Sequence, residues 1–150
     1  MNQDRLHKLV SEFRAAIEHL ANSGHWFDVS ITNAFPFASC DDSSQLLAAY
    51  LADHGFPGAI RVSGSSGGRN NELSSHVWLS LGGVLIDITG SQFEHYCQPD
   101  ILISEKDDFL STFQVDDESR VADFRKVPLL PQYEFHKTYD AIVKTLSSLK

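Results

Sequence analysis

The chain has only two cysteines, Cys40 and Cys97, too few for the disulfide framework of a small secreted domain. A bridge between them would consume the thiol of Cys40. Basic residues are also scarce: 12 Lys and Arg face 20 Asp and Glu, the formal net charge is −8, and the cations are scattered. Nucleic acid and anionic membrane both require a basic surface, so neither is an expected partner. No apolar run approaches the ~20 residues that span a bilayer, and Met1-Asn2-Gln3-Asp4-Arg5 carries no apolar signal core. The expected location is therefore cytoplasmic, where a free thiol is the ordinary state. His95 and Cys97 lack a second pair of metal ligands, so they read as loop residues, and neither a metal nor a cofactor is expected. The Gly- and Ser-rich stretch 64–71 lacks the Gly-Lys-Ser/Thr ending of a phosphate loop.

What is present is the composition of one globular domain over residues 1–150, with 42% hydrophobic residues to build a single core. Leu6, Leu9, Val10, Phe13, Ala16, Ile17 and Leu20 recur at helical spacing, predicting a helix over residues 4–21 that stops at Gly24. Residues 25–38 are mixed and aromatic, with a short strand expected at Asp28–Thr32 and a turn at Pro36. Ser39 and Asp42 have the spacing of a capping pair, which makes Ser39 the N-cap of a second helix and Cys40 its first residue. Leu46, Leu47, Tyr50 and Leu51 form the buried face of that helix, and Gly55 ends it. Cys40, Ser44, Leu47 and Leu51 share one stripe, which directs the thiol toward the body of the protein.

Ala59–Ser63 reads as a strand, followed by residues 64–71 as a mobile connection, or alternatively a substrate flap. A hairpin over residues 76–89 turns at Gly82-Gly83 and pairs Leu81 with Val84. Alternation then places Val77, Leu79, Leu81, Val84, Ile86 and Ile88 on one face, and His76, Trp78, Ser80, Leu85, Asp87 and Thr89 on the other. His76 and Asp87 become diagonal neighbours, roughly 7–8 Å apart at the backbone and within side-chain reach. Beyond Phe93, strands are expected at Ile101–Ile103 and Phe124–Leu130. The acidic stretches 105–108 and 116–118 read as solvated surface, and Tyr133–Leu149 as a closing helix.

A thiol at a helix start, an imidazole and a carboxylate supply a nucleophile, a base and an orienter. Asp87 between Ile86 and Ile88 is an acid in an apolar strand, which demands a partner. The N–H of Cys40, free at the first helical turn, is a ready oxyanion donor, and Asn33 is a second candidate on its nearness in sequence to Cys40. Trp78, on the face of the pair, would shield it or pack against substrate. Asp41 and Asp42 oppose a thiolate, leaving His76 to supply most of its activation.

The segments Ser39-Cys40-Asp41-Asp42-Ser43-Ser44, Ser75-His76-Val77-Trp78-Leu79 and Leu85-Ile86-Asp87-Ile88-Thr89 resemble the transglutaminase-like branch of papain-fold proteins, over roughly residues 35–93. That pattern is a Cys at a helix start, a His-x-Trp strand and an Asp-x-Thr strand, in that order. The resemblance implies an α+β fold in which a central helix bearing Cys40 packs on an antiparallel sheet, with flanking N- and C-terminal helices. It also implies a Cys40-His76-Asp87 triad. The aromatic lead-in and Gln92-Phe93 look like small bacterial members of the group, which adds Gln92 as an oxyanion or substrate candidate. The size and calcium loop of true transglutaminases are missing, and arylamine acetyltransferases, with the same triad order, are longer.

The expected activity is a cysteine-dependent amide hydrolase or acyl transfer of peptidase, amidase or glutamine-deamidase type. It would proceed through a thioester on a peptide, protein or small amide substrate. The alternatives are a catalytically silent papain-fold binding module, or a toxin-type protein deamidase. Oligomeric state is not legible in the sequence.

Overall fold

The N-terminal apolar stripe folds as expected. In the computed structural model, which describes residues 1–116 and 119–149, helix α1 spans Gln3–Asn22, and Asn2 Oδ1 caps it by accepting from Arg5 N–H at 3.0 Å. Leu6, Val10, Phe13, Ala16 and Ile17 are fully buried along one face. Helix α2 spans Cys40–Asp53 and helix α3 spans Gln132–Leu149. Their apolar faces close with α1 over one side of a sheet, where Leu79, Leu81, Ile86 and Ile88 complete the main core.

The sheet holds strands β1 (Ile60–Gly67), β2 (Leu73–Leu81), β3 (Val84–Asp87), β4 (Leu102–Ser104), β5 (Gln114–Val115) and β6 (Arg120–Val121). Its order is β4-β3-β2-β1-β5, every pairing is antiparallel, and β6 shares the outer edge of β1 with β5. The β2–β3 hairpin has the expected register, Leu81 opposite Val84 and Leu79 opposite Ile86. Gly82 and Gly83 have φ of +54° and +82°, the double left-handed turn that matches strand twist. The molecule is thus α+β, with three helices and an open antiparallel sheet.

The second face of the sheet is covered too. Trp78, Phe109, Leu110 and Phe113 form a separate buried cluster, against which Val62, Leu73, Leu85, Phe93, Tyr96 and Leu102 pack. Phe113 seats on β1 because Gly64 has no side chain: a Cβ there would lie 2.7 Å from the Phe113 Cβ and 3.1 Å from Trp78. Ser66 has a φ of +54°, which breaks the strict alternation and brings Gly67 under the same ring.

Several expectations fail for local reasons. The stretch 64–71 is a loop only in part. Its first half continues β1 to Gly67, and the turn beyond is latched. Arg69 N–H donates to Tyr96 Oη at 3.1 Å, Tyr96 donates to Glu72 at 2.8 Å, and Gly68 N–H donates to Thr112 at 2.8 Å. Asp28–Thr32 forms bends, not a strand, and Phe124–Leu130 forms no strand either. Asp123 Oδ1 accepts from Arg125 N–H at 3.0 Å and closes a short 3-10 turn, Phe124–Lys126, ahead of Pro128 and Pro131. Asp107 is only half-buried by the turn it caps, accepting from Leu110 N–H at 3.0 Å, whereas Glu105, Lys106 and Asp108 show the expected mix of solvated side chains. Asp116 is exposed, while Asp117 and Glu118 lie outside the described residues.

A Gly64→Ala variant should lose about 1–3 kcal/mol of stability by overpacking Phe113. Urea denaturation checks this, and a wild-type midpoint would contradict the seating of Phe113 on β1.

Candidate functional site

Cys40 opens α2 and is half-exposed, while His76 of β2 and Asp87 of β3 are buried, with His76 fully enclosed. The register of the hairpin sets the pair, and His76 Nε2–H donates to Asp87 Oδ2 at 2.8 Å. The other carboxylate oxygen, Oδ1, accepts from Thr89 N–H at 3.0 Å and from the Thr89 hydroxyl at 3.4 Å. The Asp-x-Thr spacing therefore has a physical use: the threonine fixes the acid that fixes the histidine. Gly90 leaves the room, since a Cβ there would sit 2.8 Å from Asp87 Oδ2.

Burial by itself opposes charge on His76. The Asp87 charge and hydrogen bond overcome this, with a further contribution from the Cys40 sulfur, and together they push its pKa up to about 9. With Nε2 taken by Asp87, Nδ1 is the atom left for the thiol. Nδ1 is buried and has no hydrogen-bond partner among the described residues.

Around the imidazole the second apolar cluster forms an aromatic box. Phe93 meets the His76 ring edge-on, with centroids 4.9 Å apart at 89°, and Trp78 and Phe113 lie at 5.7 and 5.9 Å. Trp78 is only 3% exposed and packs beside the His76 ring. This box was largely invisible in the sequence. Phe109 and Phe113 lie outside any periodic pattern, and the signal for them was the pair of glycines on β1.

The start of α2 also differs from expectation. Ser39 occupies the N-cap position but makes no side-chain cap. Its hydroxyl donates to Phe37 O at 2.9 Å and accepts from Thr32 N–H at 3.2 Å. Asp42 does not fold back as a capping partner, because its Oδ2 accepts from Ser30 N–H at 2.7 Å. Lashing the preceding loop to the helix takes precedence over capping, and among the described residues the N–H of Cys40 has no side-chain partner. Asp41 is held by Arg61 from β1 and by Gln45. Neither Arg61 nor Gln45 was anticipated, since only the β1–α2 packing brings the arginine to the helix start.

Asn33 is exposed in the turn that contains the cis Phe35–Pro36 bond. It lines an open cleft of about 530 Å³ with Trp26, Phe27, Val29 and Ala38, beside the start of α2. Gln92 ends a short 3-10 turn, Gly90–Gln92, and its buried Nε2 has no hydrogen-bond partner among the described residues. The cysteines are both free, and Cys97 is exposed. Among the described residues no three His, Cys, Asp or Glu side chains gather as a metal site, and no helix is long and apolar enough to cross a membrane.

The raised pKa has a definite sign. A His whose folded pKa exceeds its unfolded value of about 6.5 stabilises the fold fully below that pH. The contribution is lost as pH rises through about 9. An NMR titration of the His76 ring should find its midpoint near 9 in the wild type, and Asp87→Asn should bring it down to 6.5 or lower, because burial is then unopposed. A wild-type midpoint below 6.5 would contradict the pairing. Comparison with protein-family models, curated proteins and solved structures returned no match to this chain.

Proposed function

We propose that this chain is a transglutaminase-like, papain-fold cysteine hydrolase or acyl transferase. Its substrate is an amide: a peptide bond, a glutamine side chain or an amide-linked small molecule. One observation carries the reading: a fully buried imidazole is bonded to a carboxylate through Nε2 and has no hydrogen-bond partner at Nδ1 among the described residues. An ordinary buried histidine satisfies both nitrogens, and leaving one unpaired costs about 1–3 kcal/mol. An arrangement that retains this cost is consistent with a proton acceptor and donor at work.

In this mechanism the proton of Cys40 resides on His76, giving a thiolate and an imidazolium. The sulfur attacks the amide carbonyl carbon and forms the C–S bond of a tetrahedral intermediate. The N–H of Cys40 at the uncapped helix start donates to its oxyanion, favoured by the positive end of the helix dipole. The intermediate collapses as the C–N bond breaks and His76 Nδ1–H delivers its proton to the departing amine, leaving a thioester. A water then attacks the thioester and gives its proton to Nδ1, which releases acid and restores the thiolate. An amine in place of water completes transfer. Asp87 keeps the ring oriented and stabilises the imidazolium throughout, and Trp78, Phe93 and Phe113 exclude water from the far side of the ring.

Incubation with an activated acyl donor such as p-nitrophenyl acetate should yield an acyl adduct on Cys40 by intact-mass and peptide analysis. Cys40→Ala should lose the adduct and at least about 10³-fold in turnover while keeping its melting temperature. Equal turnover by Cys40→Ala would remove this mechanism. Adding a primary amine separates transfer from hydrolysis.

A further inference from the structure

Asp41 adjoins the proposed nucleophile in sequence, and an uncompensated carboxylate there disfavours a thiolate. It is compensated. Arg61 Nε donates to Asp41 Oδ1 at 2.8 Å and Arg61 Nη2 donates to Oδ2 at 2.9 Å, a bidentate pair. Gln45 Nε2, one turn along α2, donates to the same Oδ1 at 2.9 Å, and Arg120 Nη2 holds the Gln45 carbonyl at 2.8 Å. Asp42, the other acid of this turn, is occupied by Ser30 N–H. The Arg61 side chain is only 17% exposed, whereas that of Asp41 is 44% exposed, so the inner member of the pair is the cation. The hydrogen bonds to Asp41 raise the proton affinity of Arg61 most, against the opposing effect of burial, so the guanidinium stays charged in the pair.

We propose that Arg61 is a positioning residue for the reaction of Cys40: it draws the Asp41 carboxylate into a neutral bidentate pair against β1, so that Asp41 adds no uncompensated negative charge where the thiolate forms. This inference rests on the reading of Cys40 as an ion-paired nucleophile. It assigns the two cations of the site to one pair of strands. Arg61 sits opposite Leu79, and His76 opposite Gly64, on paired β1 and β2, so the hairpin delivers both. A lysine would keep the charge but not the two parallel hydrogen bonds.

The test is the pH dependence of Cys40 alkylation by iodoacetamide, with the site assigned by mass spectrometry. It compares wild type, His76→Ala, Arg61→Ala, Arg61→Lys, Asp41→Asn and the Arg61→Ala/Asp41→Asn double variant, each with its melting temperature. Arg61→Ala should slow alkylation near pH 7 by up to about tenfold. Arg61→Lys should recover part of this, and the double variant should return close to wild type, because no carboxylate remains to offset. A purely structural arginine predicts the opposite pattern, with melting temperature falling and no rescue by Asp41→Asn. If Arg61→Ala does not fold, Asp41→Asn alone decides: it leaves the guanidinium uncompensated and should lower the midpoint, and an unchanged midpoint overturns the proposal. If wild-type Cys40 reacts slowly and His76→Ala changes nothing, the nucleophile reading falls, and the role of Arg61 with it. If wild type is fast and His76-dependent while Arg61→Ala matches it, only the role of Arg61 falls.

Discussion

A single hydrogen bond, His76 Nε2–H to Asp87 Oδ2 at 2.8 Å, is the constraint around which the second face of the sheet is built. Taking an imidazolium and a carboxylate out of water costs several kcal/mol per ion, and the attraction repays it only where the remaining polar atoms are also satisfied. Asp87 meets that condition through Thr89, whereas His76 meets it at only one nitrogen. The aromatic box deepens the cost by excluding solvent and, by the same exclusion, strengthens the pair. The geometry tolerates no slip, because moving β3 by one residue would put the acid on the opposite face of the sheet.

The two sides of the sheet have different tasks. One is packed by three helices and secures the fold. Arg125 fastens this side by donating to Asp53 at 2.9 Å, to Asp123 at 2.8 Å and to Ala49 O at 3.2 Å, with Tyr139 donating to Asp53 at 2.7 Å. The other side is closed by the segment between β3 and β5, whose aromatic residues surround the histidine. Arg14, buried in α1, ties the sides together by donating to Ile88 O at 2.8 Å, just after Asp87. The half-exposed Cys40 stands where α2 begins, so in the proposed function an enclosed base would serve an accessible sulfur.

Local patterns in the sequence were legible and distant ones were not. The three helices follow from apolar stripes, and the hairpin register follows from Gly82-Gly83 with strict alternation on both sides. The pairing of His76 with Asp87 was readable because an acid between two isoleucines needs a partner. The extension of β1 through Gly64 and Gly67 was hidden, because glycine and serine ordinarily mark loops. Here they make room for Phe113, nearly fifty residues away. Strands β5 and β6, two residues each, exist only because the edge of β1 was open, and nothing local specifies them. Arg61 was obscured for the same reason, as was the diversion of Ser39 and Asp42 from capping to anchoring the 25–38 loop.

The proposed function stands or falls on a thiolate and an imidazolium coexisting at this site near neutral pH. The most direct measurement is the ultraviolet thiolate absorbance as a function of pH, in a Cys97→Ser background so that Cys40 is the sole thiol. The account predicts thiolate absorbance at neutral pH that His76→Ala removes. Absorbance at neutral pH no greater than that of an ordinary thiol, and indifferent to His76→Ala, would contradict the ion pair.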